Sequence, residues 1–354
     1  MEKIEDRKKQ AMGNLEKGRL KIKADAIAIV SDGSAVLGSG NVGGLAALPV
    51  LKEKAKFFKE FGNVDAFPIC LDTQDTEEIV KTVKNIAPGF GGICLENISA
   101  PRCFEIEKKL KEEIDIPVFH DNQHGTAIVV SAAVINAFKF LGRPYAEAKT
   151  VICGAGTAGN AIAKMLHLLG VRDVVICDSK GILSANRIPE FGEDKLELLE
   201  FTNKEGISGG LKEAVKGRDL FIGVSKPGVL SEDSVRTMAK NPVIFALSNP
   251  KPEILPEAAK AAGAHVVGTG KASYPNQINN VLVFPGIFKG ALDAGATDVT
   301  DDMKTAAAWA LAGLVSDEEL AEDHVLPSAA GEGVSEIIAK AVYETWLSRL
   351  HTGG

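Results

Sequence analysis

Two short polar segments in the first half of the chain carry the side chains best suited to metal or acid–base chemistry. Glu96 and Asn97 follow one short apolar segment, and Asp121 and Asn122 follow the Pro-Val-Phe at 117–119. Carboxylate and amide oxygens at two neighbouring strand ends suit a hard divalent ion such as Mg²⁺ or Mn²⁺. Either pair alone is more simply a polar loop or a helix cap. The two pairs together favour a site.

A glycine-rich motif typical of dinucleotide binding opens the second half of the chain. It follows a strand-like segment, begins a helical one, and comprises Gly154, Gly156, Thr157, Ala158 and Gly159. Its glycines permit a tight turn, close approach of a pyrophosphate, and close packing of helix on strand. Asp178 ends the next strand-like segment, about 20 residues on, where an acid holds the ribose hydroxyls. Asp178 favours NAD because it would repel a 2′-phosphate, although Lys180 leaves NADP open.

Three further features give weaker signals. A second Gly-x-Gly-x-x-Gly at 38–43 lacks a following strand that ends in an acid, so we expect its glycines to permit close approach to substrate or to the other domain. Asn249 and Asn280 lie in amide-rich segments that suit a small carboxylate or nicotinamide, with loop capping equally compatible. Lys54 shares an amphipathic helix with three other lysines, and its spacing does not distinguish it from them.

Alternating strand-like and helical segments position these residues. The segments 64–71, 92–95 and 117–119 predict strands, with helices at 77–86, 103–114 and from Gly125 to Gly142. This alternation predicts an α/β fold with parallel sheets. We predict an N-terminal α/β domain over residues 1–143 and a doubly wound Rossmann NAD-binding domain with a helical C-terminal region over 144–354. Residues 1–24 predict a charged helix and connector, and 35–37 a short strand.

Composition excludes several classes of function. The 354 residues have a net charge of −7, which provides no basic surface for nucleic acid and weakly disfavours anionic membranes. No apolar run approaches the roughly 20 residues that span a bilayer, and the charged N-terminus does not look like a signal peptide. The five cysteines include no Cys-x-x-Cys pair, which indicates free thiols in a reducing cytoplasm.

Several longer strings resemble the malic enzymes in their compact prokaryotic form. They include Ile-Val-Ser-Asp-Gly-Ser-Ala-Val-Leu-Gly at 29–38, Leu-Glu-Asn-Ile-Ser-Ala-Pro-Arg-Cys-Phe at 95–104, and Phe-His-Asp-Asn-Gln-His-Gly-Thr at 119–126. The dinucleotide motif, Ser-Asn-Pro at 248–250 and the segment 275–286 complete the series. The resemblance runs from about residue 25 to the C-terminus in family order.

The resemblance implies oxidative decarboxylation of L-malate to pyruvate and CO₂, with reduction of NAD(P)⁺ and a divalent metal. It places the family's catalytic lysine at Lys54 and the carboxylate that partners it at Asp121. The family's metal-ligand motif falls on Glu96, Asn97 and Asn122. Asn249 and Asn280 match positions that contact substrate and nicotinamide. A homodimer is also implied.

Two departures from the family pattern affect the expected chemistry. The family has aspartate where Asn97 and Asn122 stand, so three anionic ligands become one and metal affinity should fall markedly. The family also carries, before its first strand, a tyrosine that protonates the enol of pyruvate. Here the tyrosines are Tyr145, Tyr274 and Tyr343, and none lies in such a segment. We therefore expect that segment to be missing.

Three functions are compatible with this pattern. The first is a working malic enzyme, which the departures would impair. The second is a non-catalytic NAD-binding relative of the malic enzymes. The third is another enzyme on this scaffold, such as an oxaloacetate decarboxylase or an amino-acid dehydrogenase. Malate-dependent NADH formation distinguishes the first from the second, and nucleotide-independent release of CO₂ identifies the decarboxylase.

Overall fold

The first half of the chain forms a four-stranded parallel sheet. The computed structural model describes residues 26–36, 38–328, 331 and 333–352. The strands are β1 (Ala26–Ser31), β2 (Asp65–Cys70), β3 (Gly92–Leu95) and β4 (Val118–His120), in the order β2-β1-β3-β4. The helices are α1 (Gly44–Gly62), α2 (Thr76–Ile86), α3 (Arg102–Glu113) and α4 (Asp121–Phe140). β3 and β4 are buried throughout, as expected for parallel strands covered on both faces.

The second half forms a six-stranded sheet of the doubly wound type. Its strands are β5 (Thr150–Cys153), β6 (Val174–Asp178), β7 (Gly181–Ile182), β8 (Leu220–Gly223), β9 (Val243–Ala246) and β10 (Val266–Thr269). The order is β10-β9-β8-β5-β6-β7, with only β7 antiparallel to its neighbour. Its helices are α5 (Thr157–Leu168), α6 (Glu193–Leu199), α7 (Leu211–Val215), α8 (Glu232–Arg236) and α9 (Pro256–Ala261). The strand order reverses between β5 and β8, where ligands bind in such sheets.

The last three helices connect the second half of the chain to the first sheet. They are α10 (Phe284–Ala294), α11 (Asp301–Ala312) and α12 (Val334–Thr352). On α10, the ring of Phe288 packs against Phe58 of α1 at 5.5 Å and against Phe119 of β4 at 5.8 Å between centroids. All three rings are fully buried. The two halves therefore share one hydrophobic core.

The predicted α/β fold with parallel sheets is confirmed, whereas two local predictions are wrong. Helix α4 begins at Asp121 and not at Gly125, because the polar residues before Gly125 find buried hydrogen-bond partners and need no loop. Of the strand predicted at 35–37, the structure describes Ala35 as a turn and Val36 in an isolated bridge with Gly40, and position 37 lies outside the described residues. The helix predicted over 1–24 lies outside the described residues. The division at 143/144 stays a prediction.

Candidate active site

A buried lysine lies where the first sheet meets α10. Lys54 sits on α1 and is 7% exposed. Its ammonium contacts the Asp121 carboxylate directly, and Glu96 Oε2 lies 2.7 Å from Nζ. The ring of Phe284 covers it, with Nζ 4.0 Å from the ring centroid. One cation is therefore held between two buried carboxylates and an aromatic face.

The two carboxylates determine the protonation of Lys54. Burial by itself would lower the pKa of this lysine, because a low-dielectric environment disfavours the charged form. Asp121 and Glu96 outweigh that effect, and the pKa of Lys54 rises well above its ordinary value. Lys54 is thus an ammonium in the resting site and donates a hydrogen bond to Asp121.

The first turn of α4 places Asp121 against the lysine. Burial raises the pKa of the Asp121 carboxyl, although Lys54 counteracts the shift. The side-chain amide of Asn280 donates to Asp121 Oδ2 over 2.6 Å. A side chain at position 125 would collide with Asp121 Oδ1, so Gly125 is needed for the carboxylate to hold this position.

Glu96, Asn97 and Asn122 lie together beside this pair, as the sequence predicts. Glu96 follows β3 and Asn122 lies in the first turn of α4, so two adjacent strand ends bring them into contact. The Asn122 amide donates to Glu96 Oε1 over 3.1 Å, and the backbone N–H of Asn97 donates to Asn122 Oδ1 over 2.7 Å. Asn97 adopts a left-handed conformation, with φ of 55°, that asparagine tolerates well.

A second buried polar network supports the turn that carries Asp121. Glu107 of α3 accepts from the Gln123 amide at 2.9 Å and contacts His124 Nε2 at 2.8 Å. The Gln123 amide also lies 2.8 Å from His120 Nδ1. Burial lowers the pKa of His124 to about 4, despite the neighbouring carboxylate of Glu107. Sequence reasoning missed Glu107, because one glutamate on an amphipathic helix gives no signal until its partners are known.

The dinucleotide motif forms the turn between β5 and α5, beside a cavity of about 600 Å³. Gly154 has a φ of 124°, and a Cβ there would lie 2.5 Å from the Val224 carbonyl oxygen. A Cβ on Gly159 would collide with the Gly154 carbonyl, whereas a Cβ on Gly156 would face open space. The three glycines thus provide the tight turn, the open space for a pyrophosphate and the close contact of the helix with the turn, as the motif predicts.

Asp178 lines the same cavity at the end of β6, and its carboxylate is already paired. Oδ2 accepts from Lys195 at 2.8 Å and from Arg187 at 3.0 Å, and Oδ1 accepts from the backbone N–H of Lys180 at 2.9 Å. Burial alone would raise the pKa of Asp178, but these two cations lower it to about 2. Sequence reasoning missed Arg187 and Lys195, which lie beyond the motif in a segment with no recognisable pattern.

A smaller cleft of about 300 Å³ lies at the reversal point of the second sheet. Its lining includes Gly38, Asn122, Ala158, Asn249 and Asn280. Asn280 connects this cleft to the Lys54–Asp121 pair through its hydrogen bond to Asp121. None of the three tyrosines, all of which the structure describes, lines it.

A buried glutamate fixes two loops of this cleft. Glu253 accepts from the backbone N–H of Ser225 at 2.8 Å and of Ser248 at 3.0 Å. Both serines line the cleft. Sequence reasoning missed this residue as well.

Comparisons with known proteins identify the family. A family model described as the malic enzyme NAD binding domain matches residues 123–347, and one described as the malic enzyme N-terminal domain matches residues 3–111. The chain belongs to the malic enzyme family. It is 52% identical to the bifunctional malic/malolactic enzyme of Bacillus subtilis over 93% of this chain and 81% of that protein. With the NAD-dependent malic enzyme of Geobacillus stearothermophilus the identity is 51%, over 93% and 70%.

Solved structures of malic enzymes have the same fold. The enzyme from Pyrococcus horikoshii superposes with a TM-score of 0.91 at 44% identity, covering 98% of this chain and 82% of that one. The NAD-dependent malic enzyme from Thermotoga maritima gives 0.90 at 45% identity, covering 96% and 90%. In the part of the chain that the structure describes, no helix is long and apolar enough to cross a membrane.

The three residues on the malic enzyme metal motif do not fit a divalent ion in the arrangement described. Glu96 is their only anion, and within residues 26–352 as described no three His, Cys, Asp or Glu side chains gather where they could hold a metal. The Asn122 amide nitrogen, which cannot coordinate a cation, faces Glu96. Mg²⁺ or Mn²⁺ at this position stays a prediction.

The described residues bring most of the predicted site together. Lys54, Asp121 and Asn280 are in direct contact, with Glu96, Asn97 and Asn122 beside them. Asn249 lines the adjacent cleft. A Cβ on Gly38 would lie at an ordinary contact distance of 3.5 Å from Pro250, and a Cβ on Gly40 or Gly43 would meet nothing within 4 Å, so the role of the second glycine motif stays a prediction.

Proposed function

We propose that this protein catalyses the oxidative decarboxylation of L-malate to pyruvate and CO₂, with reduction of a nicotinamide nucleotide. The observation that carries the proposal is the Lys54–Asp121 pair, joined by Asn280 to the cleft beside the dinucleotide turn. The B. subtilis and G. stearothermophilus relatives bear malic enzyme names, which supports the same reaction here.

NAD is the proposed nucleotide, held by Gly154, Gly156, Thr157, Ala158 and Gly159. Its pyrophosphate would lie at the start of α5, where backbone N–H groups point outward. The adenosine ribose would lie near Asp178 and the nicotinamide near Asn249, in the smaller cleft. NADP is the alternative, because Arg187 and Lys195 compensate the charge of Asp178, and NADP-dependent relatives also match the chain.

In the proposed chemistry, Lys54 and Asp121 move the protons as a unit. Hydride leaves C2 of malate for the nicotinamide ring. As it leaves, the C2 hydroxyl gives its proton to Lys54 while Lys54 passes one to Asp121, so the site keeps one positive charge on the lysine. This order follows from the raised pKa of Lys54, because a protonated amine accepts a proton only if it releases another.

Decarboxylation then uses the same ammonium. When the carboxylate leaves C3 as CO₂, the bonding electrons move to the C2 oxygen as an enolate. The Lys54 ammonium would stabilise that oxygen. C3 then takes up a proton from solvent water to give pyruvate, and Asp121 returns its proton to solvent.

Asn280 and Asn249 are the proposed substrate and nicotinamide contacts. Both line the cleft, and their uncharged amides can donate to a carboxylate or to the nicotinamide carboxamide without adding charge. Asp121 already orients the Asn280 side chain, so a carboxylate bound to Asn280 would lie next to the Lys54–Asp121 pair.

A second candidate function is supported by Asn97 and Asn122. Amides in place of two of the three carboxylates of the metal motif favour a relative that binds NAD without turnover. The deciding experiment follows NADH absorbance with purified protein, L-malate, NAD⁺ or NADP⁺ and excess Mn²⁺, with pyruvate measured in parallel. NADH and pyruvate in equal amounts support the enzyme, whereas NADH binding without turnover supports the non-catalytic relative.

A homodimer in the cytoplasm is the proposed assembly and location. The family resemblance supports the dimer. The five cysteines are all free, and four of them are buried, which suits a reducing compartment.

A further inference from the structure

The orientation of the Asn122 amide is fixed by a backbone donor. Its oxygen lies 2.7 Å from the backbone nitrogen of Asn97. A backbone N–H can only donate, so the atom facing it must be the amide oxygen. The amide nitrogen must then point to Glu96 Oε1, 3.1 Å away. The side of Asn122 that faces Glu96 therefore carries two N–H donors and no lone pair for a cation.

Glu96 is compensated on both of its oxygens without a divalent ion. Oε1 accepts from Asn122, and Oε2 lies 2.7 Å from the Lys54 ammonium. Aspartate at position 122 would bring a second carboxylate oxygen to about the same 3.1 Å from Glu96. Two carboxylates at that distance repel each other strongly in a buried site unless a cation lies between them.

We propose that the Asn122 carboxamide takes the place of the divalent cation of the metal motif, which makes this a site that needs no divalent ion. Lys54 then supplies the positive charge near Glu96 and Asp121. The inference rests on the site assigned under the proposed function. Its tests measure metal binding and unfolding, so a failed malate assay and a failed test of this inference are distinguishable.

The first test measures Mn²⁺ binding by the full chain with electron paramagnetic resonance, in which bound ion loses the six-line signal of free Mn²⁺. For the wild type, we expect no binding: the signal should match that of a protein-free titration up to about 1 mM Mn²⁺. The Asn97→Asp/Asn122→Asp variant should bind about one equivalent at least tenfold more tightly, because three carboxylates then converge. Asn241→Asp, an exposed position, controls for binding to an added surface carboxylate.

Two outcomes of that titration would overturn the proposal. One is saturable submillimolar binding by the wild type that Glu96→Gln abolishes. The other is the absence of any gain in the double aspartate variant, because the amides would then not be what excludes the ion.

The second test compares unfolding temperatures in EDTA and in Mn²⁺. Asn122→Asp should unfold about 3–6 °C below the wild type in EDTA, and Mn²⁺ should restore it, because the new carboxylate faces Glu96. The unfolding temperature of the wild type should be the same in EDTA and in Mn²⁺. An Asn122→Asp variant as stable as the wild type in EDTA would show that the amide does not replace a cation.

Discussion

The side chain of Asn280 reaches Asp121 across the junction of the two sheets, with its amide 2.6 Å from Oδ2, although the residues are 159 positions apart. Asn280 precedes α10, and Phe284 at the start of that helix covers the ammonium of Lys54. The second half of the chain thus completes a site that begins in the first half.

Replacing Asn280 with alanine should reduce turnover by roughly 10–100-fold. The change removes a hydrogen bond to a charged, buried carboxylate, worth roughly 1.5–3 kcal/mol. Steady-state kinetics with malate should show a lower kcat. A separate binding measurement should show unchanged affinity for NADH. Gln277→Ala, in the same loop but outside the cleft lining, is the matched control. Equal activity of the two variants would show that Asn280 does not act in the site.

Replacing Lys54 with methionine should lower kcat by roughly a thousandfold, within the range expected for loss of an acid–base group. The variant keeps an unbranched side chain, one atom shorter than lysine, but lacks the ammonium. Lys56→Met, an exposed lysine on the same helix, should retain full activity. NADH fluorescence should give similar affinities for both proteins, which tests folding of the nucleotide domain. Retained turnover in the Lys54 variant would refute its assignment.

Replacing Asp178 with asparagine should reduce the preference for NAD over NADP by about tenfold. The variant lacks the negative charge near the ribose and releases Arg187 and Lys195, which now pair with Asp178. The readout is the ratio of kcat/KM for the two nucleotides, with binding of NADH and NADPH measured separately. Glu190→Gln, which also removes a partner of Arg187 but lies outside the cavity lining, should leave the ratio unchanged.

Acid should destabilise the protein through His124. Its pKa is 6.5 in the unfolded chain and about 4 in the folded one, so between these values the unfolded state binds more protons. Stability therefore rises with pH across this window and is lost as pH falls through it. Between pH 7 and 4.5, the shift corresponds to a loss of roughly 2 kcal/mol.

Urea unfolding at pH 7 and pH 4.5 measures this contribution. A His124→Gln variant should lose less stability between the two pH values than the wild type. The exposed His351→Gln should behave as the wild type does. Identical pH dependence in all three proteins would mean that His124 is not buried in its neutral form.

Replacing Phe288 with alanine should lower the free energy of unfolding by roughly 3–5 kcal/mol, because its ring is buried against Phe58 and Phe119. Phe67→Ala is the matched control, since that side chain is 52% exposed. Unfolding in urea should separate the two variants clearly. A small effect at position 288 would indicate that α10 does not form part of the shared core.

The sequence by itself determined the α/β fold, the dinucleotide turn and the family. These features depend on local patterns: apolar segments at strand and helix spacing, glycines where backbones must approach, and motifs that keep their order along the chain. The same locality explains why the start of α4 was placed wrongly. Asp121 is polar enough to suggest a loop, and only its buried partners show that it belongs to the helix.

Only the tertiary structure decided how the site is charged and which way its amides face. The motif gives Asn122 a position, but the Asn97 backbone N–H fixes its orientation toward Glu96. Spacing cannot separate Lys54 from the other lysines of its helix, whereas burial between two carboxylates does. Protonation and hydrogen-bond direction depend on the distances between residues far apart in the chain, and a sequence does not contain those distances.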